Sequence, residues 1–192
     1  MIVAALVLAA GSSQRLGQPK QLLPFRDATL LDATIETVTG FGFAQTIVTL
    51  GGAAPEVRET VDLSGVDVVD SVHHTNGCSS SIVSALDAIN PEAAGFMLFL
   101  GDQPGVPSAA VDSLLVAAAG AELAVIEYND GTGHPFWFAR SMFGPLADLH
   151  GDKAVWKLLE SGQHETARVQ VDADIPLDVD TWEDYQQLLA ND

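Results

Sequence analysis

The sequence predicts an α/β fold built on a largely parallel sheet, and three observations carry that expectation. Apolar runs alternate along the chain with segments of helical period. Two of those runs, residues 2–9 and 96–100, contain no polar residue, as expected of strands buried on both faces of a parallel sheet. No internal repeat or low-complexity linker breaks the alternation. In folds of this class ligands bind beyond the carboxyl ends of strands, where the strand order switches direction.

The first run carries the β-branched residues Ile2, Val3 and Val7 and empties into a loop, Leu8-Ala9-Ala10-Gly11-Ser12-Ser13-Gln14-Arg15-Leu16-Gly17-Gln18-Pro19-Lys20. Gly11, Ser12, Ser13 and Gly17 offer unobstructed backbone N–H groups, and Arg15 and Lys20 add a guanidinium fork and a point charge, a combination that suits phosphate. Five residues separate Gly11 from Gly17 and the lysine follows three later, so the loop is not a P-loop; the Gly-x-Gly-x-x-Gly dinucleotide fingerprint is absent too. The same composition also serves as a plain turn between a first strand and a first helix.

Further along, Thr29 caps a helix running to about Thr39 and stopped by Gly40 and Gly42. A β-branched strand over 46–50 ends in Gly51-Gly52, a short exposed helix covers 54–61, and a strand over 66–69 ends at Asp70. Residues 73–81 read as loop, and 80–89 as a helix with Ile82, Val83, Leu86 and Ile89 on one side. The buried strand 96–100 ends in Gly101-Asp102-Gln103-Pro104, Ser108 caps a helix to about residue 119, and 123–128 is a strand. Then come a turn over 129–133, an aromatic strand over 134–138, and short helices beginning at Ser141 and Asp152. A strand over 169–171 and an extended stretch over 176–180 precede the capping box Thr181-Trp182-Glu183-Asp184, which opens a last helix over 182–189.

A length of 192 residues favours one domain over 1–192, hiding roughly 70% of its unfolded surface. Lys and Arg number 8 against 26 Asp and Glu, a net charge of -18, which disfavours nucleic acid and anionic membrane partners. Arg15, Lys20 and Arg26 nevertheless fall near one loop, so a small anionic ligand is expected there. The acidity elsewhere also serves solubility alone. A single cysteine, Cys78, rules out an intrachain disulfide and fits a reducing cytoplasm. The residues 7–10 resemble a signal cleavage site, but the apolar run before them is short and no Lys or Arg precedes it, so a cytoplasmic protein is expected.

Asp102 directly follows a buried strand, which places a carboxylate where the first loop also points; it suits Mg²⁺, which uses one or two carboxylates plus phosphate oxygens, and equally a turn before Gln103-Pro104. Asp178 and Asp180 share a face of an extended segment and can serve a metal or substrate, or Asp180 can merely precede the cap at Thr181. Gly77 with Ser79, Ser80 and Ser81 opens a helix whose hydroxyls can hold a nucleotide or simply cap it. Adjacent His73 and His74 diverge if extended, and no zinc motif occurs. His134, between Gly133 and Pro135, opens the aromatic strand as an acceptor contact or as a structural turn histidine.

Taken together these segments resemble the MobA-like nucleotidyltransferases, and within them the molybdenum cofactor cytidylyltransferases. The loop pattern Leu-Ala-Ala-Gly-x-Ser-x-Arg-x-Gly-x-x-Lys-x-Leu-Leu is matched over 8–23. The likeness continues, in order, at Gly77 with Ser80-Ser81, Gly101 to Pro104, Gly133-His134-Pro135, Gly151-Asp152-Lys153, and Asp178-Val179-Asp180-Thr181 with Glu183-Asp184. The resemblance implies a three-layer Rossmann-like domain that joins a nucleoside monophosphate from an NTP to an acceptor phosphate and releases pyrophosphate.

It further implies that Leu8, Ala9, Ala10, Gly11, Ser12, Ser13, Gly51, Asp70, Gly77 and Ser80 bind the nucleotide. Arg15 and Lys20 would hold its triphosphate and act with Asp102 in catalysis; Asp102 and Asp180 would bind Mg²⁺. His134, Lys153, Asp178 and Asp180 would face a molybdopterin-type acceptor, and a molybdenum hydroxylase apoenzyme would be a partner. Ala10 stands where guanylyl-transferring relatives have Gly, which points to CTP.

Departures gather on the acceptor side. His74 replaces a common Trp, Val83 a common Arg, and Lys153-Ala154-Val155-Trp156 lacks an expected Arg. Two other readings therefore stand beside the first: another NTP with a sugar phosphate or phospholactate-type acceptor, or a cofactor-binding chaperone without turnover.

Overall fold

The chain's first apolar run forms β1 (Val3–Ala9), which ends where small residues let the backbone leave the sheet. The structure is a computed structural model and describes all residues except 73–76 and 152, and the side chain of residue 154. After the loop, a 3-10 turn at Lys20–Leu22 leads into a small hairpin, β2 (Pro24–Phe25) and β3 (Ala28–Thr29), that the sequence did not announce. Thr29 and Asp32 then form the capping box of α1 (Leu30–Gly40).

The alternation continues through β4 (Gln45–Leu50), α2 (Ala54–Thr60), β5 (Asp67–Asp70), α3 (Cys78–Leu86), β6 (Gly95–Leu100) and α4 (Ser108–Ala118). It ends with β7 (Leu123–Tyr128), β8 (Gly131–Ala139), α5 (Phe143–Ala147), α6 (Ala154–Glu160), β9 (Thr166–Gln170) and α7 (Trp182–Asn191).

Seven strands form one sheet in the order β5-β4-β1-β6-β8-β7-β9. Every neighbouring pair is parallel except those of β8, which runs antiparallel to both β6 and β7. Helices cover both faces. Leu31, Ile35 and Val38 of α1 and Val111 and Leu114 of α4 pack with Val7, Val48 and Phe99. On the other face Ile82 and Ala85 of α3, Leu146 of α5 and Leu158 of α6 pack with Leu6, Ile47, Phe96 and Phe138. The result is the expected three-layer, mostly parallel α/β fold. Among the described residues, no helix is long and apolar enough to cross a membrane.

Several local expectations shift. Ser108 is the first helical residue of α4 rather than its cap; the extended Pro107 holds the cap position without a side-chain bond. The turn after β7 is shorter than 129–133, because Tyr128 already pairs with Gly131. The helix expected over 80–89 begins two residues earlier and ends at Leu86. Ser141 lies in a 3-10 turn, Arg140–Met142, ahead of α5. The helix start expected at Asp152 lies outside the described residues. The strand expected over 169–171 covers Thr166–Gln170 because it pairs along β7.

Candidate functional site

β1 and β6 are neighbours in register, with Leu8 opposite Leu100. From β1 the chain steps outward to β4 and β5, then returns to place β6 on the other side of β1, so the strand order switches here. A cavity of about 800 Å³ opens at these strand ends, lined by Leu8 to Arg15, Lys20 and Gln21 on one side and by Gly101 and Asp102 on another. Lys153, Asp178 and Asp180 complete it with Gly77, Cys78 and Ser81 at the start of α3.

A small apolar cluster explains how remote residues meet. Leu16 from the loop, Leu23, Phe25 and Leu30 enclose the fully buried Val179, with Tyr185 and Leu188 of α7 packed against them. Val179 therefore pins the segment that carries Asp178 and Asp180 over the loop. The capping box formed by Thr181 and Asp184 fixes its far end, where the Asp184 carboxylate also accepts from the amide of Asp180 at 3.1 Å. Gln103 adds a tie by donating Nε2 to the Pro176 carbonyl at 2.8 Å.

The charged groups converge. The Lys20 ammonium donates to the Asp102 carboxylate and, at 2.9 Å, to Asp180 Oδ1. Arg15 donates to Asp180 Oδ2 at 2.6 Å from the exposed rim. The Lys20 and Asp102 side chains are only 17% and 8% exposed, so this pair lies inside the cavity wall. Burial pushes the Asp102 carboxyl above its usual range, with the neighbouring Asp178 and Asp180 adding to that, while Lys20 opposes it. Burial works against the Lys20 ammonium, yet Asp102 and Asp180 hold its pKa above the ordinary value. Asp180 also resists burial and is held below the usual carboxylate range by Lys20 and Arg15.

Local backbone features shape the loop. Ser13 adopts a left-handed φ of 49°, its carbonyl accepts from the amides of Leu16 and Gly17, and its hydroxyl accepts from the Lys20 amide at 3.0 Å. Gln21 was not singled out by sequence reasoning. It is buried, and its Nε2 donates to the carbonyls of Ala9 at 2.6 Å and Gly11 at 3.2 Å, splinting the loop across Ala10. The only signal for it was a polar residue between Lys20 and Leu22-Leu23.

Some predicted residues lie elsewhere. Gly51 and Asp70 line a neighbouring cavity of about 430 Å³ at the ends of β4 and β5, where Asp70 accepts from Arg58 at 2.8 Å. Gly51 packs so closely behind the loop that a Cβ there would lie 2.4 Å from the Ala10 carbonyl oxygen. Ser80 does not line the main cavity; its hydroxyl donates back to the Gly77 carbonyl at 2.7 Å. His134 is also away from the lining, stacked on Phe136 with ring centroids 4.2 Å apart. Burial pushes its imidazole pKa down to about 4, so it is neutral at pH 7. His73 and His74 lie outside the described residues.

Asp102 and Asp180 offer hard oxygen ligands converging on one positive charge, a donor set that fits Mg²⁺ or Mn²⁺. No group of three or more His, Cys, Asp or Glu suited to a metal occurs among the described residues.

A family model described as the MobA-like NTP transferase domain matches residues 5–169. A Mycobacterium tuberculosis protein solved as a complex with manganese is 47% identical, with a TM-score of 0.90 and alignment over 100% of both chains. The molybdenum cofactor cytidylyltransferase of Escherichia coli is 25% identical over 183 residues, covering 94% of this chain and 92% of that protein. Nicotine blue oxidoreductase of Paenarthrobacter nicotinovorans is 34% identical over 116 residues, 60% of this chain and 56% of that relative.

Proposed function

We propose, for a chain that belongs to the MobA-like NTP transferase family, that it transfers CMP from CTP to the phosphate of a molybdopterin-type acceptor and releases pyrophosphate. The observation that carries this reading is the meeting of Lys20 with Asp102 and Asp180 at the switch point beneath the loop. Nucleotidyl transfer asks for alignment and charge stabilisation rather than a covalent intermediate. Lys20 and Arg15 would grip the triphosphate oxygens, and the loop from Leu8 to Ser13 would hold base and ribose. The acceptor phosphate, already ionised at neutral pH, would attack the α-phosphorus in line as the bond to pyrophosphate breaks. No general base is required.

Asp102 and Asp180 would hold Mg²⁺ or Mn²⁺, which supplies charge neutralisation at the phosphates. The relative solved with manganese supports a divalent metal. Ala10 and the cytidylyltransferase relative support CTP, and Lys153, Asp178 and Asp180, which line the cavity, would face the acceptor. Gly51, Asp70 and the cavity they line would extend the nucleotide side, and Gly77 with Ser80 would position it through the start of α3. His134 would act on the acceptor side only indirectly, through its packing beside the strand ends.

A second reading keeps the chemistry and changes the substrates to another NTP and phosphate acceptor. The acceptor-side departures at Val83 and at Lys153 to Trp156 favour it. The test is to supply Mg²⁺, each NTP in turn and candidate acceptors, including molybdenum-loaded pterin, and to measure pyrophosphate. Release with CTP and pterin is expected; release with another pair supports the second reading, and nucleotide binding without release would replace both with a carrier role.

A further inference from the structure

We infer that Lys20 stands in for the divalent cation, its ammonium occupying the point between Asp102 and Asp180 that the metal takes, so that metal and nucleotide enter together rather than metal first. This rests on the metal-dependent transferase reading above.

Three acidic side chains, Asp102, Asp178 and Asp180, face one cavity, and Asp102 is nearly fully buried. Without a counter-charge such a cluster repels itself. Lys20 supplies the charge by spending two of its three N–H donors on Asp102 and Asp180. Arg15 binds Asp180 from outside. Both cations expected on the triphosphate are thus paired with the carboxylates expected on the metal. Binding has to exchange partners: the cations move to phosphate oxygens and the carboxylates to the metal.

Either half of that exchange alone is unfavourable. Metal without nucleotide would leave a largely buried ammonium beside a divalent cation, and nucleotide without metal would strip the carboxylates of their counter-charge. The architecture permits the lysine to move while its backbone stays fixed. Its amide is held by Ser13 Oγ at 3.0 Å, whereas its side chain lines the cavity, where even a Cβ on Gly11 would meet Lys20 Cε only at an ordinary contact distance of 3.9 Å. Lysine suits this task because its charge rides on a flexible four-carbon stem. Metal and nucleotide should therefore reinforce each other's binding, by the same factor in either order.

The test titrates metal-free protein with Mn²⁺ at about pH 8, well above the ordinary carboxylate range, and reads unbound Mn²⁺ by electron paramagnetic resonance, with and without a non-hydrolysable CTP analogue. Wild type should bind Mn²⁺ weakly alone and roughly tenfold or more tightly with the analogue. Lys20→Met should bind Mn²⁺ alone roughly tenfold more tightly than wild type and lose most of the coupling. Lys20→Arg, which keeps the charge, should remain weak, and Lys20→Gln provides a second neutral variant should Lys20→Met not fold. Neutral variants that bind Mn²⁺ no more tightly than wild type would overturn the stand-in role. Wild type that takes the analogue but no Mn²⁺ under any condition would overturn the metal reading, and this inference with it.

Discussion

The amide of Gly101 donates to the carbonyl of Leu8 at 2.9 Å, so the bond that closes the pairing of β6 with β1 also forms the floor of the cavity. A Cβ on Gly101 would lie 2.9 Å from both the Leu8 carbonyl oxygen and Ala9 Cβ. Gly101→Ala must push the two strand ends apart. It should cost about 1–3 kcal/mol in denaturant unfolding and weaken nucleotide binding. Gly105→Ala, with nothing within 4 Å of its Cβ, should change stability by less than about 0.5 kcal/mol.

Asp102→Asn retains the shape of the side chain but removes a carboxylate that burial and two neighbouring aspartates already disfavour. Turnover should fall at least about a hundredfold, while circular dichroism and cooperative unfolding persist. Near-wild-type pyrophosphate release by this variant would remove Asp102 from the chemistry.

Gln21→Met leaves the carbonyls of Ala9 and Gly11 without their shared donor while preserving volume. A loss of about 1–3 kcal/mol is expected, together with a raised KM for nucleotide and a smaller change in kcat. Gln21→Glu should be worse, since a carboxylate would face the same two oxygens. Equal KM values in wild type and both variants would show that the splint is irrelevant to nucleotide binding.

Much of this arrangement was legible because it follows from local patterns. The uniform apolar runs that became β1 and β6, and the small residues after each, located both sides of the cavity without any knowledge of pairing. The cap at Thr29 and the capping box at Thr181 were equally visible, since both rest on residues close in sequence; that Asp32 completes a box at Thr29 came only from the structure. What stayed hidden depends on long-range contact. The antiparallel direction of β8 follows from its hairpin to β7 and its pairing with β6, which no periodicity encodes. Gln21 looked like any polar residue in a turn until its amide met Ala9 and Gly11. Asp70 ends its strand as expected, yet β5 pairs with β4 at the sheet edge, which puts Asp70 at the neighbouring cavity, where Arg58 donates to it.

His134 predicts an acid-sensitive limb in the stability profile. Its folded pKa of about 4 lies below the ordinary value of 6.5, so its contribution is fully present above about pH 6.5 and is lost as pH falls towards 4. Within that window the slope from this group should be at most about 1.4 kcal/mol per pH unit. His134→Phe keeps an aromatic ring against Phe136 and should flatten the limb relative to wild type in unfolding measured across the window. Parallel profiles would contradict the burial of a neutral imidazole.

The most direct test of the proposed activity follows the α-phosphate itself. With CTP labelled at that phosphorus, a divalent metal and molybdenum-loaded pterin, the label should appear on the pterin in step with unlabelled pyrophosphate, and Asp102→Asn should nearly abolish the transfer. Label that stays in CTP, or that moves equally well in the variant, would contradict nucleotidyl transfer to the pterin through the cavity between β1 and β6.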